Sequence, residues 1–279
     1  MFSETKRSQS IKLAQNYLFN KKLVSDLIKS IKICKEDIVF EVGPGRGIIT
    51  EELLKYSNHI IAIEKDHKNI IELRKKEYNS NFITIIEGDI LKYQNKQQNN
   101  YIVVSNPPFN ITSALIKKFI TDEYIPKSMY LVLQKEAFDR IAGIKFESQF
   151  SIIIKSLYKL KPIYYFKRSD FFPCPKVDTV FVEFIVRDCM KKIDFRKEYF
   201  RFVQYAFQQQ KSSLFNNFKK VFSYIQWKKI SQQLKFDIKV RVSDLSPDQW
   251  LQLFEIFKKY TNISKHELIM NAKICERLL

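Results

Sequence analysis

Residues able to build metal centres or disulfide frameworks are few in this chain and widely spaced. Four cysteines and three histidines occur in 279 residues, with no CxxC pair and no spacing typical of a zinc site. This pattern excludes a disulfide-stapled scaffold and favours isolated thiols in an intracellular protein. No stretch approaches the roughly 18 uncharged apolar residues of a membrane span, and no apolar segment follows the charged start. We therefore expect a cytoplasmic protein, neither exported nor membrane-spanning, without a metal.

Acidic residues are also outnumbered. The chain has 30 Asp and Glu against 48 Lys and Arg, which gives a formal net charge of +18. Such an excess favours a polyanionic partner, nucleic acid first, and predicts salt-sensitive binding. A solvated, lysine-rich surface without such a partner is the alternative. Hydrophobic residues make up 45% of the sequence, which indicates a folded chain, and the length predicts one large domain with a smaller one.

Glycine is also scarce for a chain of this length, and its positions are not random. Of five glycines, Gly43, Gly45 and Gly47 lie within five residues. A cluster that survives in a glycine-poor composition indicates backbone positions that no side chain can occupy. The buried strand predicted over Ile38–Val42 precedes it, and helical spacing follows. The next apolar run ends at Glu64, 21 residues beyond Gly43, where a carboxylate can hydrogen-bond a ribose. The pattern predicts nucleoside binding.

The turn itself favours neither NAD nor ATP. Ile48 stands where a dinucleotide fingerprint needs glycine or alanine, and no phosphate-binding lysine of a P-loop is present.

Two further strands are predicted, over residues 82–86 and Tyr101–Ser105. The first ends just before Asp89 and the second just before Asn106. Strands that alternate with helical segments predict a parallel sheet whose carboxyl edge carries the ligand.

The segment Asn106-Pro107-Pro108-Phe109 follows the last of these strands. Its prolines end the strand and stiffen the loop, because they lack a backbone donor and restrict the preceding residue. The Asn106 side-chain oxygen and the Pro107 carbonyl could then accept both hydrogens of an exocyclic amine and free its lone pair for attack. Phe109 could stack on an extruded base. An ordinary Asn-Pro turn is the alternative.

Several segments, in order along residues 15–187, resemble one enzyme family. They are Gln15-Asn16-Tyr17-Leu18, residues 41–47, Glu64, Gly88-Asp89-Ile90, Asn106-Pro107-Pro108-Phe109, Gln134-Lys135-Glu136 and residues 171–178. As a set they are similar to the ribosomal RNA adenine-N6 dimethyltransferases. That family includes the housekeeping small-subunit (KsgA-type) enzymes and the macrolide-resistance (Erm) enzymes. The resemblance implies S-adenosyl-L-methionine as methyl donor and ribosomal RNA as partner. Nothing in the sequence demands a dimer, so we expect a monomer.

The resemblance also implies an architecture. We expect an α/β class I S-adenosylmethionine-dependent methyltransferase with a Rossmann-like seven-stranded sheet, in which Thr179–Val186 is antiparallel at the end. Residues 1–187 would form the catalytic domain, and residues 188–279 a small all-α domain that binds RNA. Within it, Ser246, Pro247 and Gln249 predict the start of a helix with a capping box.

Residue roles follow from the same resemblance. The implied cofactor-binding residues are Gln15, Asn16, Leu18, Gly43, Gly45, Glu64, Asp89 and Asn106. Among these, Glu64 would contact the ribose hydroxyls and Asp89 the adenine amine. The target base would be held by Asn106, Pro107 and Phe109 and faced from its other side by Phe171.

The substrate is less well defined by the sequence. Pro107 stands where the family usually has Leu or Ile and is found in DNA adenine methyltransferases, which keeps DNA open as a substrate. Residues 167–171 resemble the resistance branch. We therefore expect N6-methylation of a 23S rRNA adenine with macrolide, lincosamide and streptogramin B resistance. The alternatives are a 16S rRNA dimethyltransferase, a DNA methyltransferase and a non-catalytic RNA-binding assembly factor.

Overall fold

The computed structural model describes residues 16–95, 101–188, 193–209 and 213–272. The chain divides into two compact units. The first comprises Met1–Phe138 and Leu160–Val186, and the second comprises Asp139–Lys159 and Arg187–Leu279. The units meet at 138/139, 159/160 and 186/187, and the division predicted from the sequence, at 187/188, lies one residue from the last of these. It did not anticipate that residues 139–159 group with the C-terminal helices.

The first unit is built on a seven-stranded sheet, as predicted. The strands of the chain are β1 Tyr17–Leu18, β2 Ile38–Val42, β3 His59–Glu64, β4 Ile83–Glu87, β5 Tyr101–Ser105, β6 Ser128–Gln134, β7 Tyr158–Phe166, β8 Phe171–Phe172 and β9 Thr179–Val186. The sheet order is β4-β3-β2-β5-β6-β9-β7, and β1 pairs with β8 apart from it. Strands β2 to β6 pair in parallel, whereas β9 is antiparallel to β6.

The expected antiparallel strand is therefore present, but it is not the edge of the sheet. Strand β9 lies between β6 and β7, and β7 forms that edge. The burial pattern gives the reason, since every residue of Thr179–Phe184 is buried while several residues of β7 are exposed. Alternating exposure is typical of an edge strand with one solvated face.

Short helices cover the sheet. They are α1 Lys21–Ser30, α2 Ile48–Leu53, α3 His67–Arg74, α4 Thr112–Thr121 and α5 Lys135–Ile141, which crosses the junction at Phe138/Asp139. The Asn20 side chain caps α1 by accepting from the Leu23 amide, and Asp66 caps α3 by accepting from the Lys68 amide. The central strands are buried on both faces, since Val39 and Ile102 on one face and Phe40 and Val103 on the other are at most 1% exposed. The sheet is thus a rigid platform for the loops at its carboxyl edge.

The second unit is helical. Its helices are α6 Gln149–Leu157, α7 Ile193–Gln208, α8 Leu214–Phe218, α9 Tyr224–Leu234, α10 Pro247–Tyr260 and α11 Ile263–Met270. The predicted capping box at Ser246 and Gln249 is confirmed at the start of α10. The core is aromatic, with Phe202 stacked on Phe218 at a ring separation of 4.7 Å. Helix α6 belongs here because it packs on α7, where the Ser156 and Tyr199 hydroxyls lie 2.6 Å apart.

No helix within the described ranges is long and apolar enough to cross a membrane.

Candidate active site

A cavity of about 290 Å³ opens at the carboxyl edge of β2, β3 and β5. Residues from separate segments of the chain meet there. Among its lining residues are these members of the predicted site: Asn16, Leu18, Gly43, Gly45, Glu64, Asn106 and Pro107. Asp89, Phe109 and Phe171 are not among the lining residues. Gln15, also predicted for this site, lies outside the described residues.

Two members of the glycine cluster, Gly43 and Gly45, line one wall of the cavity, and the backbone of all three favours glycine. Gly43, Gly45 and Gly47 all have positive φ angles, of 67°, 57° and 80°. A Cβ added to Gly45 would lie 2.8 Å from Cε1 of Tyr17, and one added to Gly47 would lie 2.6 Å from the Tyr78 hydroxyl. Side chains at these positions would therefore strain the turn and displace the neighbouring rings. The predicted reason for the cluster is confirmed at both positions.

Glu64 ends β3 beside this wall and is only 3% exposed. One carboxylate oxygen accepts from the Gly45 amide at 3.0 Å, and the other accepts from the amides of Lys65 and Asp66 at 2.8 Å each. Backbone donors thus hold the carboxylate in a fixed orientation on the cavity wall. An anchored carboxylate that retains free lone pairs can accept from hydroxyl groups of a bound nucleoside.

Asp89 lies in the loop after β4 and is held by the side chain of Lys65, whose Nζ is 2.8 Å from Oδ2. Its other carboxylate oxygen accepts from the Leu91 amide at 3.0 Å. The Lys65 ammonium is the main reason why the pKa of Asp89 lies below its ordinary value. The carboxylate therefore stays ionised as an acceptor to lower pH. The sequence indicated Asp89 but not its ion pair.

The Asn106-Pro107 corner leaves the end of β5 and reaches the cavity. The Ser105 hydroxyl donates to the Val42 carbonyl at 2.7 Å, which ties the ends of β5 and β2 together beneath the corner. The side-chain Nδ2 of Asn106 donates to the backbone carbonyl of Asn16 at 2.8 Å. This bond commits the donor end of the amide to the protein and leaves Oδ1 as the acceptor end. Pro107 is buried.

Phe109 begins a single 3-10 turn, Phe109–Ile111, directly after the corner and is half-buried. It stands next to the cavity in sequence without lining it.

The aromatic residue at the cavity opposite Asn106 is not the one that was predicted. We call this side of the cavity, formed by Phe172, the aromatic wall. Phe171 is 2% exposed and packs on Phe166 with ring centroids 5.0 Å apart, so the structure does not bring it to the cavity. Phe172 lines the cavity instead and is 70% exposed. Pairing of β8 with β1 explains the difference, because Leu18 is opposite Phe171 and Tyr17 is opposite Phe172, and alternate residues of a strand point to opposite faces.

Glu41, in the strand that leads to the glycines, is a buried carboxyl that the sequence showed only as a polar interruption. It is 1% exposed, and no described residue is hydrogen-bonded to either oxygen. Burial raises its pKa to about 8, with a further contribution from the charge of Glu64. The nearby Thr50 hydroxyl lowers the pKa and offsets only part of this effect. Glu41 is therefore mostly protonated at neutral pH.

This combination of a glycine cradle, an anchored acidic residue and an Asn-Pro corner can be compared with known proteins. A model of the ribosomal RNA adenine dimethylase family matches residues 6–259. The chain belongs to this family. Its members are S-adenosylmethionine-dependent methyltransferases, so the predicted enzyme class is confirmed.

Two relatives from different bacteria have the same name. The ribosomal RNA small subunit methyltransferase A of Mycoplasmopsis pulmonis is 30% identical over 246 residues, which cover 87% of this chain and 96% of that protein. The protein of the same name from Borreliella burgdorferi is 31% identical over 252 residues, with 88% of each chain covered. The predicted preference for the resistance branch receives no support from these relatives.

Solved structures agree on the architecture. The 23S rRNA methyltransferase ErmE superposes with a TM-score of 0.75 at 20% identity, covering 88% of this chain and all of that one. At this identity the similarity establishes the fold alone. A dimethyladenosine transferase from Plasmodium falciparum gives a TM-score of 0.69 at 25% identity and covers 88% of this chain and 98% of that one. The predicted class I methyltransferase fold is confirmed.

The cavity fits the family's methyl donor. Gly43 and Gly45 line it without side chains, and a Cβ added to Gly43 would meet no neighbouring residue within 4 Å, so the turn offers bare backbone to a ligand. The Glu64 carboxylate faces the same space for hydroxyl groups, and apolar residues such as Leu18 and Ile49 line the rest. A nucleoside with an extended amino-acid arm requires this mixture of bare backbone, an anchored carboxylate and apolar surface.

Proposed function

We propose that this chain transfers methyl groups from S-adenosylmethionine to N6 of an adenine in small-subunit ribosomal RNA. The observation that carries the chemistry is the Asn106-Pro107 corner, which adjoins the glycine cradle with its amide donor already bound by the protein. The small-subunit target is supported by two relatives at 30–31% identity, both called ribosomal RNA small subunit methyltransferase A. This chain matches each of them over most of its length. Such an enzyme would work in the cytoplasm, where it meets ribosomal RNA.

The cofactor would be bound by the residues of the cradle and its surroundings. S-adenosylmethionine supplies an electrophilic methyl group on a sulfonium. Gln15, Asn16 and Leu18 would contact its methionine end, and the backbone of Gly43 and Gly45 would line its path. Glu64 would accept from the ribose hydroxyls, an interaction supported by the three amides that hold its carboxylate. Asp89, kept ionised by Lys65, would accept from the adenine amine.

The Asn106-Pro107 corner would activate the target. The Oδ1 atom of Asn106 and the Pro107 carbonyl accept the two N6 hydrogens of the adenine, which favours a pyramidal nitrogen with its lone pair free for in-line attack. Because both acceptors are held before the substrate arrives, they stabilise the transition state without reorganisation. The methylated nitrogen is acidic enough to lose its proton to water, so no protein base is required.

An adenine in ribosomal RNA must leave its stack to reach this corner. Phe109 would stack on the extruded base from the corner side, and Phe171 is the aromatic that the resemblance assigns to its other face. The exposed ring of Phe172 supports the presence of an aromatic wall on that side of the cavity. The excess of positive charge supports binding to the RNA backbone.

A second candidate target is an adenine of large-subunit RNA, the original expectation. It is favoured by residues 167–171, which resemble the resistance enzymes. In that case the modification would confer macrolide, lincosamide and streptogramin B resistance. DNA, suggested by Pro107, is the third substrate to test.

The experiment compares all substrates under one condition. Purified protein and methyl-labelled S-adenosylmethionine are incubated with protein-free 16S rRNA, small-subunit particles, protein-free 23S rRNA, and duplex DNA. Mass spectrometry of nuclease digests then identifies the methylated base. We expect N6-methylated adenosine in the small-subunit RNA or particle. Methylation confined to 23S rRNA would establish the second candidate, and absence of transfer to every RNA would refute the proposed function.

A further inference from the structure

We infer that Asn16 is a positioning residue for the catalytic amide of Asn106, and not only a contact for the cofactor. This inference rests on the proposed function. Asn16 bridges two walls of the cavity that are far apart in the sequence. Its backbone carbonyl accepts from Asn106 Nδ2 at 2.8 Å, and its own Nδ2 donates to the Pro173 carbonyl at 2.6 Å.

The first of these bonds selects one of two amide orientations. An asparagine side chain has nearly the same shape after a half-turn about its last bond, but the half-turn exchanges acceptor and donor. With Nδ2 bound to the Asn16 carbonyl, Asn106 offers oxygen to a substrate amine. In the reversed orientation, Oδ1 of Asn106 would face the Asn16 carbonyl, so that two acceptors would meet. Nδ2 would then face the adenine N6, so that two donors would meet. Without this bond, part of the enzyme would hold the amide in an unproductive orientation.

The hydrogen bond from the Asn16 side chain to the Pro173 carbonyl fixes the position of the Asn16 backbone carbonyl. Asn16 precedes β1, whose two residues pair with Phe171 and Phe172 of β8. The Asn16 side chain extends this pairing by one further bond to Pro173. The Asn16 carbonyl is therefore held against the segment that carries the exposed Phe172. Asn16 couples the acceptor corner to the aromatic wall, so that both keep their separation when a base enters.

Two substitutions separate positioning from cofactor binding. Asn16→Asp keeps the size of the side chain and an acceptor for the cofactor, but it replaces the donor to Pro173 with a carboxylate oxygen. Asn16→Ala removes the same donor without adding charge. We expect kcat at saturating S-adenosylmethionine to fall at least tenfold in both variants, about the effect of one lost hydrogen bond. In Asn16→Asp, we expect the Kd for S-adenosylmethionine to change less than about threefold.

The matched control is Asn20→Asp, the same substitution four residues away. Asn20 is exposed and caps α1 through an oxygen acceptor, which aspartate retains. We expect wild-type kcat and Kd for this variant. Rates are expressed per molecule that binds S-adenosylmethionine in calorimetry, so that misfolded protein does not lower kcat.

The outcomes are distinct. A tenfold or greater fall in kcat in both Asn16 variants supports the inference. Retention of kcat within about threefold in either variant, with only the Kd of Asn16→Ala raised, overturns it, because Asn16 would then act only on the cofactor. A fall in Asn16→Asp alone also overturns it, as an effect of the added charge. If wild-type enzyme transfers no methyl to any RNA, the proposed function has failed and not this inference.

Discussion

Replacing Glu41 by glutamine should stabilise the protein, and increasingly so as the pH rises. Glu41 is 1% exposed, and burial raises its pKa from 4.5 to about 8. In the folded protein the group is therefore protonated at pH values where the unfolded chain has released the proton. Because the unfolded state binds fewer protons, the free energy of unfolding falls as the pH rises from 4.5 to 8. Glutamine has the same shape and no proton to lose.

The size of the effect follows from the pKa. Each pH unit between the two pKa values lowers the free energy of unfolding by about 1.4 kcal/mol. Between pH 5 and pH 7 the wild-type protein should therefore lose about 2.5 kcal/mol relative to Glu41→Gln. Below pH 4.5 and above pH 8 the difference between the two proteins should become constant.

Urea unfolding at pH 5, 6 and 7 measures this difference. Far-UV circular dichroism is the appropriate signal, since both tryptophans, Trp227 and Trp250, lie in the second unit and Glu41 lies in the first. Glu255→Gln, which removes an exposed carboxylate from α10, is the matched control. A gap between wild type and Glu41→Gln that stays constant from pH 5 to pH 7 would refute the reasoning about Glu41.

Further predictions concern the site. Gly45→Ala should raise the Kd for S-adenosylmethionine at least tenfold in calorimetry, because its Cβ would lie 2.8 Å from the Tyr17 ring; an unchanged Kd would contradict the cradle. Lys65→Met should raise the pKa of Asp89, so that the acid limb of S-adenosylmethionine binding moves to higher pH; an unmoved limb would show that Asp89 does not contact the cofactor. Phe172→Ala should raise the KM for RNA without destabilising the protein, whereas Phe171→Ala should cost about 3 kcal/mol in urea unfolding; the reverse result would reinstate Phe171 in the cavity.

Local chemistry made part of the site predictable. The glycine cluster, the acid that ends β3 and the Asn106-Pro107 corner could be located because each depends on residue type and on its place at a strand end. Gly43, Gly45 and Gly47 show why, since their positive φ angles belong to one tight turn. The parallel sheet followed from the same order of strands and turns.

Long-range pairing explains what could not be predicted. The exchange of Phe171 for Phe172 at the cavity depends on the register between β8 and β1, which are about 150 residues apart in sequence. The bonds of Asn16 to Pro173 and of Asn106 to Asn16 span 157 and 90 residues of sequence. The edge position of β7 and the packing of residues 139–159 with the helical unit likewise depend on contacts that no local pattern encodes.

The central claim is that the Asn106-Pro107 corner holds an adenine amine beside bound S-adenosylmethionine. Its most direct test is single-turnover methyl transfer to ribosomal RNA by wild type and Asn106→Ala, both saturated with S-adenosylmethionine. The account predicts a fall in rate of about 100-fold or more even though both proteins are saturated with the cofactor. Transfer by Asn106→Ala at the wild-type rate would contradict it.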